Sequence, residues 1–148
     1  MERTLDAVDR AILQHLSGNS RLSVRELAGL VGLSPPSTTE RLRVLEDRGA
    51  IGDYTIRIDP RAVGLPIAIH IRLRPMPGEL RRVAELLDAT PEIVEADRIT
   101  GDDCFVAKAF VASVDDLETL IDRFLPYATT NTAVVQSSPV RHRLPALP

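Results

Sequence analysis

The chain has 148 residues, enough for one domain or two small ones, with 44% hydrophobic and 26% charged residues. A net charge of −3 excludes an overall basic nucleic-acid binder, and a single cysteine excludes an intrachain disulfide or a Cys cluster for zinc. No apolar run reaches the roughly 18 residues of a membrane span. The opening Met1-Glu2-Arg3-Thr4-Leu5-Asp6 has no apolar signal region, so reducing cytoplasm is the expected location.

Three Phe, two Tyr and no Trp leave the cores aliphatic. Small aliphatic cores favour oligomerisation. Eight Arg face nine acids up to Pro60, so any affinity for DNA must come from local placement of Arg. Seventeen of the eighteen basic residues are Arg, which suits bidentate contacts to phosphate and guanine but equally reflects a GC-rich genome.

The first predicted helix carries Leu5, Val8, Ile12 and Leu16 on one stripe. Asp6 is its N-cap, Asp9 sits in its first turn, and Gly18-Asn19 ends it. The second opens at Ser23, where Ser23 and Glu26 have capping-box spacing and Leu22 and Leu27 staple spacing. Gly32 ends it. Ser34 caps a third helix with Pro35 at its first position, and Gly49 closes it.

Two short helices joined through a Gly-x-Ser turn form a helix-turn-helix pattern, with the third helix as the reader. Thr38, Leu42 and Leu45 are expected in the core. Ser34, Pro36, Ser37, Thr39, Arg41 and Arg43 are then the candidate DNA-contacting residues, with Glu40 also on the exposed half. Small hydroxyl residues permit close approach to bases, Arg binds guanine or phosphate, and a helix N-terminus attracts phosphate. The plainer alternative for Arg41 and Arg43 is a solvated helix face. The alternation of Tyr54 to Ile58 predicts a strand that forms a wing.

Asp59-Pro60 and Gly64-Leu65-Pro66 mark a boundary. Beyond it, Ile67, Ile69, Ile71 and Leu73 alternate with polar residues in a strand. A helix with Leu80, Val83, Ala84 and Leu87 inside follows, then strands over 93–100 and 104–112 flanking Gly101-Asp102-Asp103. Ser113 caps a helix burying Leu117, Leu120, Ile121 and Phe124, and residues 129–140 form the last strand. The order βαββαβ predicts a ferredoxin-like unit with one sheet face open.

The expected organisation is α+β: an N-terminal winged helix-turn-helix domain over 1–60, a linker over 61–66, a ferredoxin-like domain over 67–141 and an irregular tail over 142–148. The three histidines are scattered without metal-ligand spacing. No nucleophile–base constellation, phosphate loop or zinc motif is visible, so neither enzyme activity nor a cofactor is expected.

In this order and spacing, Leu5-Asp6-x-x-Asp9-x-x-Ile12-Leu13, Arg21, Glu26-Leu27-Ala28, Gly32-Leu33-Ser34, Arg41-x-x-x-Leu45-Glu46, Gly49-x-Ile51, Asp59-Pro60, Gly64 and Thr100-Gly101-Asp102 resemble the Lrp/AsnC, or feast/famine, transcription regulators. The resemblance runs from about Leu5 to Val140. It implies double-stranded DNA as partner, self-association into dimers and often octamers through the second domain, and a small-molecule effector, usually an amino acid or related metabolite, between subunits. It places that effector near Gly101, Asp102, Asp103, Cys104, Thr130 and Thr132. The family usually reads Gly-Asp-Tyr-Asp where this chain has Gly101-Asp102-Asp103-Cys104, so an acid that can meet an effector's amino group is replaced by Cys104. It usually reads Pro-Gly-Val where this chain has Pro126-Tyr127-Ala128. Taken alone, Gly101-Asp102 reads equally as a tight turn, and Cys104 as a small buried strand residue. The rival readings are an enzyme resembling the siroheme decarboxylases of the same two-domain plan, and a metabolite sensor that does not bind DNA.

Overall fold

The computed structural model describes residues 5–140 and 143–146. The chain divides into two compact units: Met1–Ile56 with Val140–Pro148, and Arg57–Pro139. The expected tail residues 142, 147 and 148 lie outside the described residues, as does 141.

In the first unit, α1 (Ala7–Gly18), α2 (Val24–Val31) and α3 (Pro35–Asp47) enclose a small core in which Ile12, Leu27 and Leu45 are fully buried. Leu22, Val31, Leu42 and Ile51 pack around them. Local chemistry starts each helix. Asp6 and Asp9 form a reciprocal capping box at α1, as do Ser23 and Glu26 at α2. Ser34 caps α3 by accepting from the Ser37 N–H. Each such cap is worth about 1 kcal/mol. Gly32 stops α2 at φ 70°, a left-handed conformation that costs other residues about 1–2 kcal/mol.

A second interaction joins α1 to α3. Arg41 Nη1 donates to Asp6 Oδ2 and to Asp9 Oδ1, both at 2.7 Å. The Asp9 side chain is only 9% exposed, so this bridge neutralises a carboxylate that water barely reaches. The Asp9 backbone N–H first, and the Arg41 guanidinium second, hold the Asp6 carboxyl down to about 2.

The wing strand expected over Tyr54 to Ile58 does not form: residues 52–59 carry no regular secondary structure. Alternation reports which side chains could share a face, but a strand also needs a backbone partner, and none pairs with this segment among the described residues. Tyr54 instead donates its hydroxyl to Glu46 Oε1 at 2.8 Å, and Ile56 and Ile58 are exposed. Burial first, and Glu46 second, push the Tyr54 hydroxyl up to about 12.

The second unit begins with a single 3-10 turn, Pro60–Val63, followed by β1 (Ile67–Pro75), α4 (Leu80–Ala89), β2 (Ile93–Arg98), β3 (Phe105–Val111), α5 (Val114–Asp122) and β4 (Ala128–Val134). The sheet order is β2-β3-β1-β4, with every neighbouring pair antiparallel. Ile69, Ile71 and Leu73 of β1 and the alternate residues of β3 form a buried face, closed by Val83 and Leu87 of α4 and by Leu120 and Phe124. This is the βαββαβ plan. Ala84, expected inside α4, is exposed, and Leu86 packs on the core in its place. A turn of 100° per residue puts 83, 86 and 87 on one stripe and carries 84 to its edge. Three strands are shorter than expected: β2 ends at Arg98, β3 spans Phe105–Val111, and β4 ends at Val134, ahead of Pro139. Arg123 grips Glu92 with two bonds of 3.0 and 2.9 Å, tying the end of α5 to the turn before β2 and lowering the Glu92 carboxyl.

Because each unit has its own core, Leu45→Ala should destabilise the first by about 2–5 kcal/mol. Native-state hydrogen exchange should show faster exchange of α1–α3 amides with β1 and β3 amides unchanged; faster exchange in both would contradict independent cores. The second expectation concerns pH. A depressed folded-state carboxyl adds stability that is present above its ordinary value near 3.8 and is lost as pH falls toward about 2. Asp6→Asn should therefore lower stability at pH 5 in denaturant melts, and the gap to wild type should close between about pH 4 and 2.

Candidate nucleic-acid interface and effector loop

α3 presents its N-terminal half to solvent: Ser34, Pro36, Ser37, Thr39, Glu40 and Arg43 are all exposed, while Thr38 is fully buried. The hydroxyls are ordered by local bonds. Ser34 Oγ and Ser37 Oγ lie 2.8 Å apart, and Thr39 Oγ1 donates to the Pro35 carbonyl at 3.0 Å. Pro35 and Pro36 have no N–H, the Ser37 N–H goes to Ser34 Oγ, and the Thr38 N–H to the Ser34 carbonyl. The helix start therefore commits the Ser37 and Thr38 N–H groups locally, which leaves the Ser34 N–H, the dipole and the side chains for a phosphate.

The two reader arginines also differ from expectation. Arg41 is not on the open face: its side chain is 30% exposed and points into the Asp6–Asp9 pair of α1. Arg43 is 59% exposed, but its guanidinium donates twice to Glu40, at 3.1 and 2.6 Å, and once to Asp47 at 2.9 Å. The reader helix thus neutralises its own positive charge. Arg21 and Arg25, absent from the expected contact set, are exposed and form no ion pair among the described residues. They flank the Ser23 cap at the start of α2, the helix that crosses the DNA backbone in helix-turn-helix docking. The capping box already fixes the phase of α2, so Leu27 and Ala28 inside imply Arg25 outside; that signal was present in the sequence.

In the second unit, the loop from Ile99 to Cys104 joins β2 to β3. It is closed by Ile99 N–H to the Cys104 carbonyl at 2.7 Å. Gly101 has φ 106° and Cys104 has φ 61°. Asp103 lies 3.4 Å from Arg72 and 3.5 Å from Arg74, and Asp102 lies 3.6 Å from Arg74. Arg72 and Arg74 alternate with buried Ile71 and Leu73, so these ion pairs gather at the open face of the sheet. Thr130 pairs with Leu73 and Thr132 with Ile71, so both point to the opposite, helix-covered face. The six expected effector residues therefore share one end of the sheet but divide between its two faces. Tyr127 packs against the core, with Arg82 5.5 Å above its ring.

Among the described residues no helix is long and apolar enough to cross a membrane. Among them, no group of three or more His, Cys, Asp or Glu could hold a metal ion.

Residues 5–51 match the winged helix-turn-helix DNA-binding family, and residues 67–145 the Lrp/AsnC ligand binding domain. The HTH-type transcriptional regulator LrpC of Bacillus subtilis is 37% identical over 133 residues, covering 90% of this chain and 92% of that protein. The regulator LrpA of Mycobacterium tuberculosis is 31% identical over 133 residues, covering 89% of each. The solved structure of B. subtilis LrpC is similar with TM-score 0.89 at 35% identity, over 95% of this chain and 100% of that one. The regulator NMB0573 of Neisseria meningitidis, solved as its L-Met complex, is similar with TM-score 0.86 at 28% identity, over 96% and 97%. With a helix-turn-helix unit and an α/β unit that both match, this chain belongs to the Lrp/AsnC family.

Proposed function

We propose that the chain is a sequence-specific, DNA-binding transcription regulator that self-associates through its second unit and responds to an amino acid or related metabolite. One observation carries the DNA reading: an exposed row of small side chains, Pro36, Ser37 and Thr39, on a capped helix, with Arg21 and Arg25, which form no ion pair among the described residues, at the neighbouring helix start. Pyrrolidine and hydroxyl groups permit close approach to base edges in the major groove. The two arginines neutralise phosphates and set the register. Glu40 and Asp47 hold Arg43 back, which limits sequence-blind attraction.

Self-association uses the open sheet face, where Val106, Phe110 and Ala133 sit among His70, Arg72 and Lys108. Face-to-face pairing of two copies covers this apolar surface and fixes the spacing of two readers. The effector site is the loop holding Asp102 and Asp103 beside Arg72 and Arg74. An amino acid is a zwitterion, and this loop offers carboxylates for its ammonium group and guanidiniums for its carboxylate. Two relatives support the ligand class, having been solved with L-methionine: NMB0573 and Rv3291c of M. tuberculosis.

Selection of duplexes from a random pool on the full-length protein, followed by gel-shift titration, tests the DNA reading. Enrichment of one sequence is expected, and a pool that stays random would sink it. On the enriched duplex, Arg21→Ala and Arg25→Ala should each reduce the slope of log K against log salt by about 0.9, the loss of one neutralised phosphate. An unchanged slope would remove those residues from the interface. For the effector, one of the common L-amino acids should alter the wild-type shift, and Asp102→Asn should raise the concentration needed about tenfold, the worth of one charge-assisted hydrogen bond. Absence of any response across the twenty would refute the amino-acid part.

A further inference from the structure

We propose that Arg41 is a positioning residue of the DNA reader: gripped by Asp6 and Asp9, it fixes the angle at which α3 is presented, and it does not itself touch DNA. This rests on the reading of α3 as the DNA reader.

Three observations combine. The first is direction. Residues three and four apart share one side of a helix, and Arg41 lies three after fully buried Thr38 and four before fully buried Leu45. It also lies four after exposed Ser37, so it sits on the flank between the buried stripe and the open face, with its guanidinium turned to α1. While it is bound to Asp6 and Asp9, that guanidinium is not offered to DNA. The second is the grip. A single guanidinium nitrogen meets carboxylates from Asp6 and Asp9 at 2.7 Å each, across 35 and 32 residues of sequence. Transfer of Arg41 to a phosphate would strand Asp9, whose side chain is 9% exposed, without its cation. The third is leverage. α3 has 13 residues, about 20 Å at 1.5 Å per residue. A tilt of about 10° about its C-terminal half would move the reading end by about 3 Å, more than hydrogen bonds of 2.7–3.2 Å tolerate. Leu42 and Leu45 pack α3 on the apolar core, and buried Thr38 lies nearer the reading end, but such packing is non-directional. The Arg41 bridge adds a directional tie from the middle of α3 to α1 that resists that tilt.

The sign of one substitution separates the possibilities. Binding is measured to the duplex enriched by the wild-type chain and to a scrambled duplex, at three salt concentrations and at 15 °C, with helix content checked by circular dichroism. Positioning predicts that Asp9→Asn weakens binding to the enriched duplex by about tenfold, comparable to one mismatched base pair, although it removes negative charge near DNA. Arg41→Met should weaken it by a similar factor with the salt slope and the scrambled-duplex affinity unchanged. The double variant should lose no more than either single one. Tighter binding by Asp9→Asn, or a slope reduced by about 0.9 in Arg41→Met, would show Arg41 contacting DNA and overturn the proposal. Lower melting temperature with unchanged affinity would also overturn it, leaving a purely structural bridge. Should Asp9→Asn not fold, Asp6→Asn applies the same sign test at a more exposed carboxylate. A wild-type chain that enriches no duplex refutes the reader assignment and this inference together; an enriched duplex bound equally by every variant refutes only the inference.

Discussion

Ile12, Leu27 and Leu45 are the fully buried aliphatic side chains that hold three helices together, and everything the first unit does depends on how little apolar surface that is. Burying such a side chain is worth about 1.5–3 kcal/mol, whereas ordering each residue of backbone costs about 1–2. Aliphatic contact is also non-directional, so a core this small leaves relative helix angles loosely set. Directional interactions must supply the rest. The caps at Asp6, Ser23 and Ser34 fix where each helix starts, and the Arg41 bridge fixes how α1 and α3 meet. Asp6 and Asp9 serve both purposes at once, since each caps the other's backbone and both accept from Arg41. Helix start and helix packing are therefore one coupled network.

The same economy appears in the charges. A chain of net charge −3 that reads DNA cannot rely on bulk attraction. Its reader helix ties up its arginines internally, Arg41 across to α1 and Arg43 against Glu40 and Asp47. On the proposed reading, Arg21 and Arg25 at the start of α2 are cations that meet phosphates. Affinity that draws little on phosphates gives weak non-specific binding, so discrimination between sequences must come from close fit of small side chains. Close fit in turn demands a rigidly presented helix, which is the reason an ion bridge in the interior of the reader matters more here than it would in a strongly basic domain.

What could be seen in the sequence follows the range of the interaction. Helix caps span three residues, so the Ser23–Glu26 capping box and the Ser34 cap before Pro35 were legible and the structure has them where expected. The alternation of β1 was equally plain, and its partner strands alternate in phase. The Arg41 bridge was not legible because its partners lie 32 and 35 residues away, and periodicity carries no information about them. The segment from Tyr54 to Ile58 misled for a related reason: alternation is necessary for a half-buried strand, but pairing is a tertiary event, and Tyr54 found Glu46 instead. Ala84 was a matter of phase, since an alanine on the margin of an apolar stripe can be swapped for the larger Leu86 next to it.

At the other end of the chain, replacing the family's usual second acid by Cys104 changes the loop's chemistry without opening its fold. Cys104 keeps the backbone closure, its carbonyl accepting from Ile99, and takes φ 61° to do so. A non-glycine residue in that conformation stores strain of order 1–3 kcal/mol, which persists only where surrounding bonds over-determine the turn. On the proposed effector reading the carboxylates are those of Asp102 and Asp103, and both already lie beside arginines. An effector ammonium would then compete with Arg72 and Arg74 for those oxygens, and its carboxylate would draw the same arginines away. Binding on that reading is an exchange of ion pairs. A ligand bearing only one of the two charges would leave half of that exchange unsatisfied, so the proposed site would select for a zwitterion over a simple amine or acid.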